Sequence, residues 1–65
     1  MANNSSQPNS IDVYPSLCEV NGIREVRGLG KCFKTVQELQ ARGYAFGLRY
    51  GSEALYKAFA WLRGE

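Results

Sequence analysis

The residues best suited to chemistry in this chain are two cysteines, Cys18 and Cys32, because the 65-residue sequence contains no histidine. Histidine is the commonest general base and metal ligand, so a nucleophilic thiol would lack its usual activating partner. Lys31 and Lys34 lie close to Cys32 in the sequence and are expected to lower its pKa somewhat. Without histidine or a CxxC spacing, the cysteines make a poor zinc site. We therefore predict no enzymatic activity, no catalytic residue, no metal site and no cofactor.

A glycine-rich segment, Gly28-Leu29-Gly30-Lys31, invites comparison with phosphate-binding loops. The Walker form of such a loop needs a further glycine upstream and a Ser or Thr directly after the lysine. Cys32 occupies that last position, and the chain is too short for a nucleotide-binding domain. The segment is therefore interpreted as a flexible connector.

The length of the chain restricts its class. A sequence of 65 residues, of which 45% are apolar, allows one small domain. Such a domain buries about 60% of the surface that the unfolded chain exposes, which makes its stability marginal. No room remains for an ordinary two-layer enzyme with its own substrate cleft. Binding to a macromolecule is favoured over catalysis, and no small-molecule substrate is expected.

Residues 1–10 consist almost entirely of Asn, Ser, Gln and Pro. This composition predicts a disordered polar tail, followed by a single domain over residues 11–65. The tail lacks the positive charge and the apolar run of a secretory signal, and no stretch of the chain is apolar enough to span a membrane. We expect a cytoplasmic protein that does not contact membranes. In that reducing compartment the two cysteines should be free thiols.

A β-hairpin is predicted around Asn21-Gly22, a dipeptide that suits a two-residue type I′ turn. The resulting register places Glu19 opposite Arg24, which would form a cross-strand ion pair. Pro15 lacks an N–H group, so the first strand should lie at a sheet edge or begin after this residue.

Capping signals predict two helices. Thr35 and Glu38 have the Thr-x-x-Glu spacing of a capping box, which predicts a short helix that begins directly after Thr35, with Gly43 as the C′ residue just past its end. Ser52 is expected to cap a longer amphipathic helix over residues 53–63. The apolar arc of this second helix is wider than one small sheet can cover.

Residues 44–50 alternate strictly between large apolar side chains and smaller or charged ones. Tyr44, Phe46, Leu48 and Tyr50 are the large members of this pattern. Alternation with a period of two predicts a strand. The sequence therefore predicts an α+β domain of order ββαβα, with both helices on one face of a three-stranded antiparallel sheet.

The density of aromatic side chains near the C-terminus is the main indication of function. Tyr and Trp are common binding anchors because they bury large areas with few rotatable bonds. We expect a small regulatory or inhibitor-type protein, of the size seen among bacterial, phage and mobile-element products, that binds a larger protein or forms a homodimer. The candidate anchors are Tyr44, Tyr50, Tyr56 and Trp61, and the candidate rim charges are Lys57 and Arg63.

A basic segment supports an alternative function. Residues 24–34 carry a net charge of +3, while the whole chain carries +2. Arg24, Arg27, Lys31 and Lys34 could contact a phosphate backbone or another anion in a nucleic-acid-binding regulator that resembles a helix-turn-helix protein. Its recognition helix would span residues 52–63. The low total charge and the strand predicted between the two helices argue against this alternative.

Overall fold

The computed structural model describes residues 14–65, so the tail predicted over residues 1–10 lies outside the described part of the chain. The elements are β1 (Ser16–Val20), β2 (Ile23–Gly28), β3 (Lys31–Phe33), α1 (Val36–Ala41), α2 (Gly43–Tyr50) and α3 (Ser52–Arg63). Within the described residues, the strands form one antiparallel sheet of order β1-β2-β3. The predicted α+β class and the three-stranded antiparallel sheet are confirmed.

Two tight turns connect the three strands. Asn21 and Gly22 have φ values of 55° and 79°, and Leu29 and Gly30 have φ values of 55° and 68°. Paired positive φ angles are the signature of a type I′ turn, whose twist matches that of the flanking strands. The first turn confirms the predicted hairpin. The second corrects the interpretation of residues 28–31 as a flexible connector, since these residues end β2, form the turn and begin β3.

The second turn is held from outside the hairpin. Leucine rarely adopts a positive φ, because its Cβ crowds the backbone there. The Tyr50 hydroxyl accepts a hydrogen bond from the Leu29 N–H at 2.9 Å. The side chain of Leu29 also packs against the core. Contacts with α2 and the core thus stabilise a backbone conformation that the residue type alone disfavours.

The strand predicted over residues 44–50 is wrong. These residues belong to α2, and the third strand is instead residues 31–33. The inward residues of α2 are Gly43, Phe46, Gly47 and Tyr50. Their spacing of i, i+3, i+4 and i+7 is that of one helix face. The misleading alternation came from Tyr44 and Leu48, which are exposed in the structure.

The predicted capping box begins α1. The Thr35 hydroxyl oxygen accepts a hydrogen bond from the Glu38 N–H at 3.1 Å. The Glu38 carboxylate accepts hydrogen bonds in return from the N–H groups of Lys34, at 2.6 Å, and Thr35, at 3.0 Å. These bonds satisfy backbone donors that a helix start would otherwise leave unpaired.

The other helix ends differ partly from the prediction. Arg42 is the C-cap of α1, so Gly43 follows the helix end as predicted, but Gly43 also begins α2. The N-cap of α3 is Gly51, with a φ of 96°, whereas the predicted cap, Ser52, is the first helical residue and makes no capping bond. Gly64 is the C-cap of α3 and has the left-handed conformation that is common for glycine at the C-terminal end of a helix.

The core lies between one face of the sheet and the helices. Val26 and Phe33 are opposite each other in the β2–β3 register, so their side chains share a face. Leu39 of α1, Phe46 of α2 and Ala58 of α3 complete the buried cluster. All three helices therefore pack on the same face of the sheet. The predicted single-sided arrangement is confirmed, with α2 as an additional helix.

Gly28 leaves room for two aromatic rings of α2 to pack against the sheet. A Cβ atom at this position would lie 2.9 Å from Phe46 Cε2 and 3.0 Å from Tyr50 Cε2. Such distances are shorter than normal carbon–carbon contacts of about 3.5–4.0 Å. The two rings themselves pack with their centroids 4.7 Å apart. The absence of a side chain at Gly28 therefore lets the rings of Phe46 and Tyr50 pack directly against β2.

Substitution of two glycines tests this packing. We expect Gly28→Ala to lower the free energy of unfolding by about 1–3 kcal/mol, because the new methyl group overpacks the core. Gly47→Ala is the matched control, since its Cβ would lie at an ordinary 3.5 Å from Leu55. This second change should be neutral or stabilise by up to about 1 kcal/mol through helix propensity. Urea unfolding measures both, and equal effects would contradict the close approach at Gly28.

The capping box predicts a pH dependence of stability. The hydrogen bond from the Lys34 N–H, with a weaker one from Thr35, lowers the pKa of Glu38. A carboxyl whose pKa is lower in the folded state stabilises above its unfolded pKa, and this stabilisation is lost as pH falls through the folded pKa. Glu38→Gln should therefore be less stable than the unmodified chain at neutral pH and equally stable in acid. Thermal unfolding between pH 7 and pH 2 tests this, and a constant difference would contradict it.

Candidate protein-binding surface

The exposed apolar side chains of α2 lie on its side away from the sheet. Gly47 faces α3, since a Cβ there would meet Leu55 at 3.5 Å. Phe46 precedes Gly47 by about 100° of helix rotation and points into the core. Leu48 follows Gly47 by the same rotation and therefore points to the opposite side. Tyr44, one turn before Leu48, shares this orientation.

Tyr56 lies on the outer side of α3, as Tyr44 and Leu48 do on α2. Leu55 is directed at α2, and Ala58 is buried in the core on one side of this direction. Tyr56 is rotated by about 100° from Leu55 toward the other side. Tyr44, Leu48 and Tyr56 thus share one side of the helical pair, which we call the outer helical surface. Their exposed fractions are 83%, 71% and 66%.

Tyr50, a predicted binding anchor, makes contacts that stabilise the fold. It is only partly exposed, and its ring packs against Phe46. Its hydroxyl accepts the hydrogen bond that holds the Leu29 turn. The structure therefore gives Tyr50 a structural role and directs it away from Tyr44, although both were expected on one apolar strand face.

Trp61 is the other candidate anchor that is only partly exposed, and its ring packs against the side chain of Arg24 from β2. The Arg24 guanidinium carbon lies 4.4 Å from the centroid of the indole ring. Arg24 also donates a hydrogen bond from Nη1 to the Trp61 carbonyl oxygen at 2.9 Å. The indole Nε1 is buried and has no hydrogen-bond partner among the described residues. Arg24 faces Glu19 in the strand register as predicted, yet its guanidinium contacts α3.

The two candidate rim charges are exposed and have acidic neighbours. Lys57 Nζ lies 3.7 Å from Glu53 Oε2, in an i,i+4 pair on α3. Arg63 Nε lies 3.3 Å from Glu65 Oε2. Exposed pairs of this kind contribute little to stability. The charges of Lys57, in the first half of α3, and of Arg63, at its C-terminal end, are thus each balanced locally.

The four basic residues of the alternative function do not converge. Arg24 points toward α3, whereas Arg27 lies on the opposite face of the sheet, because residues three apart in a strand face opposite ways. Arg27 Nε donates to Glu25 Oε1 at 2.7 Å. Lys31 and Lys34 are exposed at the two ends of β3. No single surface of the structure therefore presents all four basic side chains together.

The buried carboxylate of Glu25 on β2 was not predicted as a site residue. It is 8% exposed, and the hydrogen bond from Arg27 holds its pKa below the usual range, with a smaller contribution from Cys32. Desolvation raises the pKa of the Cys32 thiol, and the hydrogen bond with Glu25 adds to this effect. Lys34 does act to lower this pKa, but desolvation and Glu25 outweigh it, so the net lowering expected from the sequence is wrong. A raised thiol pKa leaves less of the nucleophilic thiolate at neutral pH.

The two cysteines are free and lie on different strands. Cys18 is in β1 and Cys32 in β3, with β2 between them. Two strand spacings of about 4.8 Å separate them by more than the roughly 7 Å that a disulfide can bridge.

Over residues 14–65, no cluster of three or more potential metal ligands occurs. No helix within the same residues has the length and apolar character needed to cross a membrane.

The contact between Arg24 and Trp61 can be tested with the single tryptophan as a probe. Arg24→Met removes the cation–π contact and the hydrogen bond but keeps an apolar stem over the ring. We expect a loss of about 1–2 kcal/mol in the free energy of unfolding. Tryptophan emission should also shift to the red as water reaches the indole.

Arg49→Met is the control for this experiment, because Arg49 is exposed on α2. Its effect on stability should stay within about 0.5 kcal/mol. Equal effects of the two substitutions, with unchanged emission, would show that Arg24 does not support Trp61.

Comparison with other proteins gives this chain no family. The sequence matches no known family, no curated protein and no solved structure. No residue therefore receives a role by analogy.

Proposed function

We propose that this chain is a non-enzymatic, regulatory or inhibitor-type protein that binds a larger protein through its outer helical surface. The observation that supports this proposal is the high exposure of Tyr44, Leu48 and Tyr56 on one side of the α2–α3 pair. Single exposed apolar residues are common on protein surfaces, but large ones gathered on one side indicate an interaction site.

The outer helical surface has the composition of a binding anchor. Burying a large apolar side chain contributes about 1.5–3 kcal/mol relative to leaving it exposed. Association costs at least about 4 kcal/mol in lost translational and rotational freedom. Tyr44, Leu48 and Tyr56 together can offset this cost, and the tyrosine hydroxyls remain available for hydrogen bonds. A stable complex would need further contacts from the rim.

The residues of the outer helical surface indicate what a complementary partner surface should contain. A matching partner surface would be an apolar groove with hydrogen-bond acceptors or donors for two phenol groups. Lys57 and Arg63 each lie beside an acidic residue, so they offer little net charge for electrostatic selection. Binding through this surface should therefore depend weakly on salt. Nucleic-acid binding, in contrast, weakens steeply as salt rises.

Site-specific photocrosslinking tests the proposal. A photoreactive phenylalanine analogue is placed at Tyr44 or Tyr56, and at Gln37 of α1 as an exposed control. Irradiation in the lysate of the producing cells should yield a discrete, nuclease-resistant protein adduct from the two tyrosine positions. Gln37 should yield none. Adducts that nuclease removes would support the nucleic-acid alternative and contradict the proposal.

Alanine variants give the corresponding affinity. Tyr44→Ala and Tyr56→Ala should each weaken capture of the crosslinked partner by about 30-fold, as truncation of an anchor does. Both variants should keep the fold, because the side chains are 83% and 66% exposed. Gln40→Ala on α1 is the matched control and should bind normally. Unchanged affinity for both tyrosine variants would overturn the proposal.

A further inference from the structure

We propose that β1 pairs antiparallel with β1 of a second copy of this chain, so that two three-stranded sheets join across a two-fold axis at Cys18. This inference goes beyond the proposed function, since it uses the sheet edge rather than the outer helical surface. The two surfaces are formed by different residues. One can therefore fail without the other.

The two edges of the sheet differ in how well they are protected. Strand β3 has three residues, begins with Lys31 and is followed by Lys34. Short length and lysines are common devices that prevent an edge strand from pairing with another chain. Strand β1 has five residues, Ser16–Val20, none of which is lysine or proline, although Pro15 lies directly before it. Among residues 14–65, nothing pairs with the outer edge of β1, so this is the edge that can accept a further strand.

The turn geometry determines which backbone groups of β1 are free. A two-residue turn makes its flanking residues, Val20 and Ile23, a hydrogen-bonded pair. Hydrogen-bonded and non-hydrogen-bonded pairs then alternate along the ladder. Leu17 and Glu19 are therefore non-hydrogen-bonded positions toward β2. Their N–H and C=O groups point away from the sheet, and within the described residues β1 pairs only with β2.

These free groups are self-complementary in one symmetric register. Leu17 of one copy lies opposite Glu19 of the second copy, which gives a hydrogen-bonded pair on each side of the axis. Glu19 is the only charged residue of β1, so no like charges face each other. Cys18 lies opposite Cys18 of the second copy at a non-hydrogen-bonded position. Such pairs have a Cα separation of about 4.5 Å, within the range of a disulfide.

The side chains of β1 are exposed enough to gain from pairing. Leu17 and Val20 are 49% and 51% exposed, and Ile23 beside Val20 is 50% exposed. In the symmetric register, Leu17 packs beside the Glu19 stem and Val20 beside Ser16 of the second copy. Two five-residue strands bury less than a standard interface, so the dimer is expected to be weak and reversible.

Oxidation of single-cysteine chains tests the pairing. Cys32→Ser leaves only Cys18, and Cys18→Ser leaves only Cys32. In a buffer of oxidised and reduced glutathione, two thiols of the chain lose two protons and two electrons, and one oxidised glutathione becomes two glutathione thiols. Non-reducing electrophoresis then measures the disulfide-linked dimer.

The expected result is faster dimer formation through Cys18. Each rate is divided by the rate at which iodoacetamide alkylates the same thiol, which removes differences in thiol reactivity. The corrected rate for Cys18 should exceed that for Cys32 by about tenfold or more, as for thiols held in place. Random collision predicts equal corrected rates, because the alkylation rate already accounts for the greater exposure of Cys32. Equal corrected rates, or a faster corrected rate for Cys32, would overturn the proposal.

Charge at position 17 tests the register. In the Cys32→Ser chain, Leu17→Lys would face Glu19 of the second copy, and Leu17→Glu would place two carboxylates opposite each other. Lysine should raise the dimer yield relative to glutamate by a few-fold at low salt, and about 1 M salt should remove the difference. Circular dichroism checks that both chains fold. Equal yields at low salt would contradict this register.

Discussion

The main constraint on this protein is the small size of the core that the sheet and helices enclose. Within residues 14–65, five apolar side chains are buried, from Val26 and Phe33 on the sheet to Leu39, Phe46 and Ala58 on the helices. One sheet face and three short helices cannot enclose every aromatic ring of the chain. The aromatic residues are therefore divided between the interior and the surface, and this division underlies the functional proposal.

The division follows from glycine positions as much as from the aromatic residues. Gly28 lets the rings of α2 reach the sheet, and Gly47 lets α2 approach Leu55 of α3. Because the inward face of α2 is thereby fixed, Tyr44 and Leu48 must point outward. Exposure of these side chains is a consequence of the packing and not a separate feature. A binding role would make this arrangement useful to a chain that cannot bury them.

Local interactions made part of the fold predictable. The Asn21-Gly22 turn and the capping box at Thr35 depend on neighbouring residues, and both were identified from residue types. The helix α2 was missed because its alternating large side chains matched a strand more closely than a helix. Its actual inward face includes two glycines, whose role is apparent only when Leu55 is known to pack against them.

The candidate site was predictable only in part for the same reason. Tyr44 and Tyr56 are exposed as anchors should be, whereas Tyr50 and Trp61 form contacts with the Leu29 turn and Arg24 that link distant parts of the chain. No spacing in the sequence indicates those long-range contacts.

Hydroxyl-radical footprinting of the purified chain and of the chain in native lysate tests the central claim most directly. The account predicts rapid oxidation of Tyr44 and Tyr56 in the purified chain, slower oxidation of Tyr50 and Trp61, and protection of the first two in lysate. Equal oxidation of all four in the purified chain, or no protection in lysate, would contradict it.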